Sequence, residues 1–175
     1  MQALMDAFAA IGAFMDQGGP LMYWIAALTF VMWTLAFERV WYFKGNLKGD
    51  VQRSLDAWEA RKERKSWNAH RIREAMISRM SDKIQQNMDM IATLIAVCPL
   101  MGLLGTVTGM IEVFGVLATS GGGDAKQMAG GVSRATIPTM AGMVAALSGL
   151  FINTYLTRIA ERENQLFADH LTMDH

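Results

Sequence analysis

Charged and uncharged positions are segregated along this chain rather than mixed. Residues 21–37 form a run of 17 without charge. Residues 90–111 form a second run of 22, which continues to Ser120 broken only by Glu112. Residues 135–157 form a third run of 23. A bilayer core takes roughly 20 apolar residues per helix, with about 17–25 tolerated. A buried helix of a soluble protein is usually shorter and carries a polar stripe. The pattern predicts an all-α integral membrane protein with three transmembrane helices, spans two and three being extended into the cytoplasm as long helices. The expected segments are an amphipathic periplasmic helix (1–18), a first span (19–43), a cytoplasmic helical region (44–89) and a second span (90–119). A short periplasmic connection with the start of the third helix (120–134), the third span (135–157) and a cytoplasmic helical tail (158–175) follow.

Periodicity refines the parts outside the spans. Leu4, Phe8, Ile11 and Met15 recur at helical spacing, as in a short helix lying in an interface. The opening residues lack the basic start and continuous apolar core of a secretory signal. Gly18-Gly19-Pro20 ends this helix and restarts the chain, with Pro in a first-turn position. Residues 50–98 contain neither Gly nor Pro, and Ile72, Met76, Met80, Ile84 and Met88 recur every four residues toward Ile91. One unbroken helix from cytoplasm into membrane is therefore expected. A turn between two cytoplasmic helices is expected at residues 61–65, followed by Ser66, Trp67 and Asn68. A single amphipathic stripe cannot bury itself. The tail, with Ile159, Leu166 and Leu171, is the expected intrachain partner, and other copies of the chain are the alternative.

Charge then sets orientation. The 16 basic and 16 acidic residues balance overall, which excludes an uncompensated basic face for nucleic acid. Twelve of the Lys and Arg residues fall in 38–89, and Arg158 and Arg162 lie in the tail. Lys126 and Arg134 alone lie between spans two and three, and residues 1–20 have none. Positive residues stay on the cytoplasmic side, so the N-terminus is expected outside and the C-terminus inside. Trp41 and Tyr42 read as an interfacial anchor. The basic run around 61–65 reads as a solvated face or as a contact for anionic headgroups. The single Cys98 lies inside a span, so no internal disulfide can form.

Within the spans, small residues share faces. Gly102 and Gly109 fall on one face with Thr106, and Gly105 pairs with Gly109. Gly142 and Gly149 lie among alanines in span three. Such residues let membrane helices approach closely, which replaces the hydrophobic effect as adhesive. Pro99 and Pro138 each free a carbonyl one turn back. Thr139, Asn153 and Thr157 lie near one helical line. Each polar group has two readings. Thr106 and Thr139 either bond their own backbone or line a conduit, and Asn153 is either interhelical glue or part of that conduit. Thr93, Thr108, Ser148 and Thr154 are expected to bond back to their own helix. Glu112, late in span two, is either a hydrated interfacial residue or a functional carboxylate, with Arg134 available to neutralise it or to pair with another subunit. No Asp, Glu, His or Lys occupies the centre of a span. A titrating group for proton movement must then come from water or a partner.

The segments Pro99-Leu-Met-Gly-Leu-Leu-Gly-Thr106-Val-Thr-Gly and Gly131-Val-Ser-Arg-Ala-Thr-Ile-Pro-Thr139-Met-Ala-Gly-Met resemble the second- and third-span motifs of the MotA/TolQ/ExbB proton channel family, in its ExbB branch. The likeness is concentrated in residues 91–157, and the short length resembles an ExbB of a second TonB system. It implies an inner-membrane homopentamer around a pore lined by spans two and three. A single-span ExbD-like partner would sit in that pore and carry the proton on its own Asp. The complex would use proton-motive force to drive a TonB-like protein and outer-membrane uptake, such as that of iron siderophores. By this likeness Thr106 and Thr139 match the pore-lining threonines, with Asn153 and Thr157 further along and Glu112 and Arg134 as a candidate charged mouth. The family often has Glu where this chain has Arg134, and a polar uncharged residue where it has Glu112, so no role carries over to that Glu. A TolQ-like subunit for envelope integrity and a non-conducting membrane scaffold are the alternatives. No nucleophile–base pair, metal-ligand spacing or phosphate loop is apparent, so neither an enzyme nor a cofactor is expected. Residues 121–124 read as a loop and helix cap.

Overall fold

The computed structural model describes residues 2–61, 66–120 and 125–171. Six helices follow one another, and no strand occurs among the described residues: α1 (Gln2–Gln17), α2 (Pro20–Lys44), α3 (Asn46–Glu59), α4 (Trp67–Gln85), α5 (Met88–Ser120) and α6 (Ala125–His170). Three stretches are long and apolar enough to cross a membrane, at Pro20–Lys44, Trp67–Thr119 and Met128–His170. The all-α, three-span architecture read from the charge pattern is the one observed. The turn expected at 61–65 lies outside the described residues except for Arg61, as do the loop residues 121–124.

The chain divides into two compact units. The first comprises Met1–Trp33 and Thr93–Leu150. Here Gly19 adopts φ +73, a conformation glycine enters at no steric cost, and α2 then begins on Pro20. Met22, Ile25 and Met32 of α2 are buried, as are Cys98 of α5 and Ala145 of α6. Gly149 of α6 lies where Met32 and Ile95 converge. The Trp33 indole donates to the Ser148 hydroxyl at 3.3 Å, and that hydroxyl donates to the Ala145 carbonyl at 2.7 Å. Phe30, Leu100 and Ile111 are exposed, as expected of helices whose solvent is lipid.

The second unit comprises Thr34–Ala92 and Phe151–His175. Ser66 caps α4, its hydroxyl accepting the Ala69 N–H at 3.2 Å. The stripe of α4 is buried at Met80 and Ile84 and continues through Met88 and Ile91. The tail partners it as expected, but its buried line is Leu156, Ala160, Phe167 and Leu171; Leu166 is exposed. Arg73 of α4 donates to the carbonyls of Leu171 at 2.7 Å and Ala168 at 2.9 Å. A cation thereby satisfies carbonyls that the end of α6 leaves without helical partners.

The unbroken helix expected to run from the stripe at Ile72–Met88 into span two is corrected. Gln86 leaves helical geometry, Asn87 sits at φ 64, and α5 starts afresh at Met88. Asparagine is among the few non-glycine residues that tolerate this left-handed region. The break is held from α2. Arg39, 2% exposed, donates to the Lys83 carbonyl at 3.0 Å and to Glu38 at 2.9 and 3.2 Å. Glu38 also accepts the Asn87 side-chain amide at 3.4 Å. Lys83 is in the last turn of α4, where carbonyls lose their partners.

Candidate functional site

The site is built where α5 and α6 touch in the first unit. A methyl group added at Gly102 would sit 2.8 Å from both the Pro138 carbonyl oxygen and the Thr139 Cα. One added at Gly109 would sit 2.6 Å from the Ala135 Cβ. Gly105 faces the Pro138 ring, and Gly142 faces the Cys98 carbonyl. The two helices thus meet along Gly102, Gly105 and Gly109, which the sequence placed on two adjoining faces. Pro99 and Pro138 are both accommodated inside continuous helix.

This closeness brings the two candidate threonines together. The Thr139 hydroxyl crosses to α5 and donates to the Gly102 carbonyl at 2.9 Å. The Thr106 hydroxyl lies 3.3 Å from the same carbonyl, one turn back on its own helix, and is hydrogen-bonded to the Thr139 hydroxyl. Thr106 is thus within reach of its own backbone, whereas Thr139 bonds across the helix pair. Thr108 bonds back to Leu104 at 3.0 Å and to Gly105 at 3.1 Å, as expected for an isolated membrane hydroxyl.

Donor accounting shows what the pair offers. With the Thr139 proton on the Gly102 carbonyl, the Thr106 proton goes to Thr139 or to the same carbonyl. Both protons are then spent inside the protein, and the Thr106 oxygen presents lone pairs. The pair opens onto a groove of about 430 Å³, with Thr106, Thr136, Thr139, Met140, Met143 and Leu147 among its lining residues. Among the described residues, no acidic or basic side chain lines it. An apolar groove with a hydroxyl acceptor favours a neutral acid over its carboxylate, since desolvation penalises charge. Thr136 was not singled out from the sequence; its place three residues before Thr139, on the same helix face, is the signal that marks it.

None of the remaining candidates is among the residues that line this groove. Glu112 and Arg134 line a separate cavity of the same unit, together with Gly18, Pro20 and Trp24. Neither forms a salt bridge among the described residues. Asn153 and Thr157 belong to the second unit, where both are half-buried and the Asn153 Oδ1 has no hydrogen-bond partner. Among the described residues, no group of three His, Cys, Asp or Glu side chains could hold a metal.

Comparison with known proteins agrees with this geometry. Residues 45–169 match the model of the MotA/TolQ/ExbB proton channel family. The chain is 30% identical over 184 residues to a putative biopolymer transport protein, ExbB-like 1, of Synechocystis, covering 87% of this chain and 72% of that protein. It is 32% identical over 88 residues to a biopolymer transport protein ExbB of Xanthomonas campestris, covering 50% of this chain and 34% of that protein. With its three spans and this match over most of its length, the chain belongs to the MotA/TolQ/ExbB proton channel family, in its ExbB branch, as a multi-pass inner-membrane protein.

Proposed function

We propose that this chain is the ExbB-like subunit of a proton-driven inner-membrane motor. Five copies surround a pore into which α5 and α6 turn their threonine groove, and a single-span ExbD-like partner occupies it. The N-terminus is periplasmic and the C-terminus cytoplasmic, a reading that the distribution of Lys and Arg supports. The motor couples proton-motive force to a TonB-like protein and so to outer-membrane uptake; its role is transport, not catalysis.

One observation carries this reading: a bonded hydroxyl pair at an apolar groove that no charged side chain lines among the described residues. Such a groove cannot titrate, so the proton must ride on a guest carboxyl. A charged carboxylate inside a membrane costs about 2.5–3.5 kcal/mol or more. Protonation removes that cost, and the Thr106 lone pairs then accept the acid proton. A guest acid is therefore held neutral beside the pair and releases its proton where water enters.

The test is energised uptake of an iron siderophore by cells carrying single variants. Thr139→Val removes uptake while the complex still assembles, and Thr106→Val does the same. Thr139→Ser restores it, because the hydroxyl and not the methyl is needed. Normal uptake with either valine variant sinks the assignment of that residue. Restored envelope integrity without uptake would place the chain with TolQ-like subunits instead.

A further inference from the structure

The second cavity of the first unit has no part in the threonine groove. Its volume of about 610 Å³ lies in the roughly 300–1,000 Å³ range of small-molecule sites. Leu21, Trp24, Leu104, Val113, Leu117 and Met128 supply apolar wall. Glu112 and Arg134 line the same cavity, both are exposed, and neither is ion-paired among the described residues. The Thr108 hydroxyl, also on the wall, is already bonded to its own helix. One cation and one anion thus remain open on an apolar hollow in a membrane protein. Leaving opposite charges unmatched in such surroundings is costly. An occupant that carries both signs and an apolar tail removes that cost.

We propose that this cavity binds one zwitterionic phospholipid with a primary ammonium headgroup, a phosphatidylethanolamine. The acyl chain lies on the apolar wall, Arg134 takes the phosphate in charge-assisted hydrogen bonds, and Glu112 takes the ammonium. An anionic phosphatidylglycerol satisfies Arg134 but gives Glu112 no cation. The inference rests on the membrane assignment alone, not on the proton pathway.

The test uses the intact complex, equilibrated with vesicles of equimolar phosphatidylethanolamine and phosphatidylglycerol. Native mass spectrometry then measures the lipid retained. The wild type retains the ethanolamine lipid over the glycerol lipid by roughly fivefold, the scale of one partly hydrated ion pair. Glu112→Gln abolishes most of that preference, and Arg134→Gln lowers retention of both lipids. Leu117→Trp fills the hollow and empties it of lipid with both charges in place. Equal retention by the wild type, or an unchanged ratio in Glu112→Gln, overturns the proposal. So does cross-linking that finds Glu112 of one copy against Arg134 of another. If neither charge variant assembles, Leu117→Trp decides: unchanged lipid retention overturns the site. Siderophore uptake by Thr139→Val reads the other groove and is independent of every arm.

Discussion

The two compact units hold their helices together with different materials. In the first, α5 and α6 meet backbone to backbone through Gly102, Gly105, Gly109 and Gly142, and the polar groups at the contact are short hydroxyls. In the second, long cations span the gap: Arg39 reaches the Lys83 carbonyl, and Arg73 reaches those of Ala168 and Leu171. The difference follows from the solvent. Lipid tails are as apolar as leucine, so burial drives nothing and close contact must supply the adhesion. The charge-rich unit has hydrophobic burial to use, at Phe167, Leu156 and Ile84. Its problem is instead the unsatisfied carbonyls at helix ends, which a guanidinium fork solves.

This contrast can be broken at several points. Gly102→Val carries the largest expected effect, because the atoms its side chain meets include backbone and cannot swing aside. A loss of about 3 kcal/mol in helix pairing is expected, read as loss of the assembled complex in native mass spectrometry. Arg73→Ala acts more locally. Removing two charge-assisted bonds costs about 1–2 kcal/mol, and faster amide exchange over the last turns of α6 reports it. If the tail exchanged no faster, the cap would be ornamental.

The smallest effect is a pH dependence centred on Asp50. Burial opposes its ionisation, but the Tyr42 hydroxyl at 3.0 Å, Lys83 at 3.5 Å and Arg53 at 2.6 Å outweigh this and hold its carboxyl below the ordinary range. A depressed carboxylate adds stability that is complete above its unfolded value, about 3.9. That contribution is lost as pH falls through the lower folded value. Asp50→Asn therefore flattens the acid limb of thermal stability and leaves the neutral region shifted downward.

Much of the membrane half was legible because lipid imposes simple rules. Uncharged length gave the spans, and the small residues Gly102, Gly105 and Gly109 marked two adjoining faces, both of which meet α6. The motif likeness singled out Thr106 and Thr139 one by one, but not their meeting, since helical spacing says nothing about which turns of two helices face each other. The charge-rich half was legible in period but not in detail. Asn87 breaks a helix in a segment free of Gly and Pro, and nothing local distinguishes it from other asparagines. Arg39 looked like one more interfacial charge beside Glu38 until α4 was brought against it. Phe167 rather than Leu166 is buried, a one-residue phase choice that only the register of the long α6 decides.

The elbow at Asn87 also bears on how the chain comes apart. Helix growth is cooperative only while its ladder of hydrogen bonds is continuous. Because that ladder restarts at Met88, with the Ile91 N–H bonded to the Asn87 carbonyl at 3.0 Å, unwinding that begins in α4 has no uninterrupted path into α5. The joint acts as a firebreak, so one stretch can melt and re-form many times while the next stays wound.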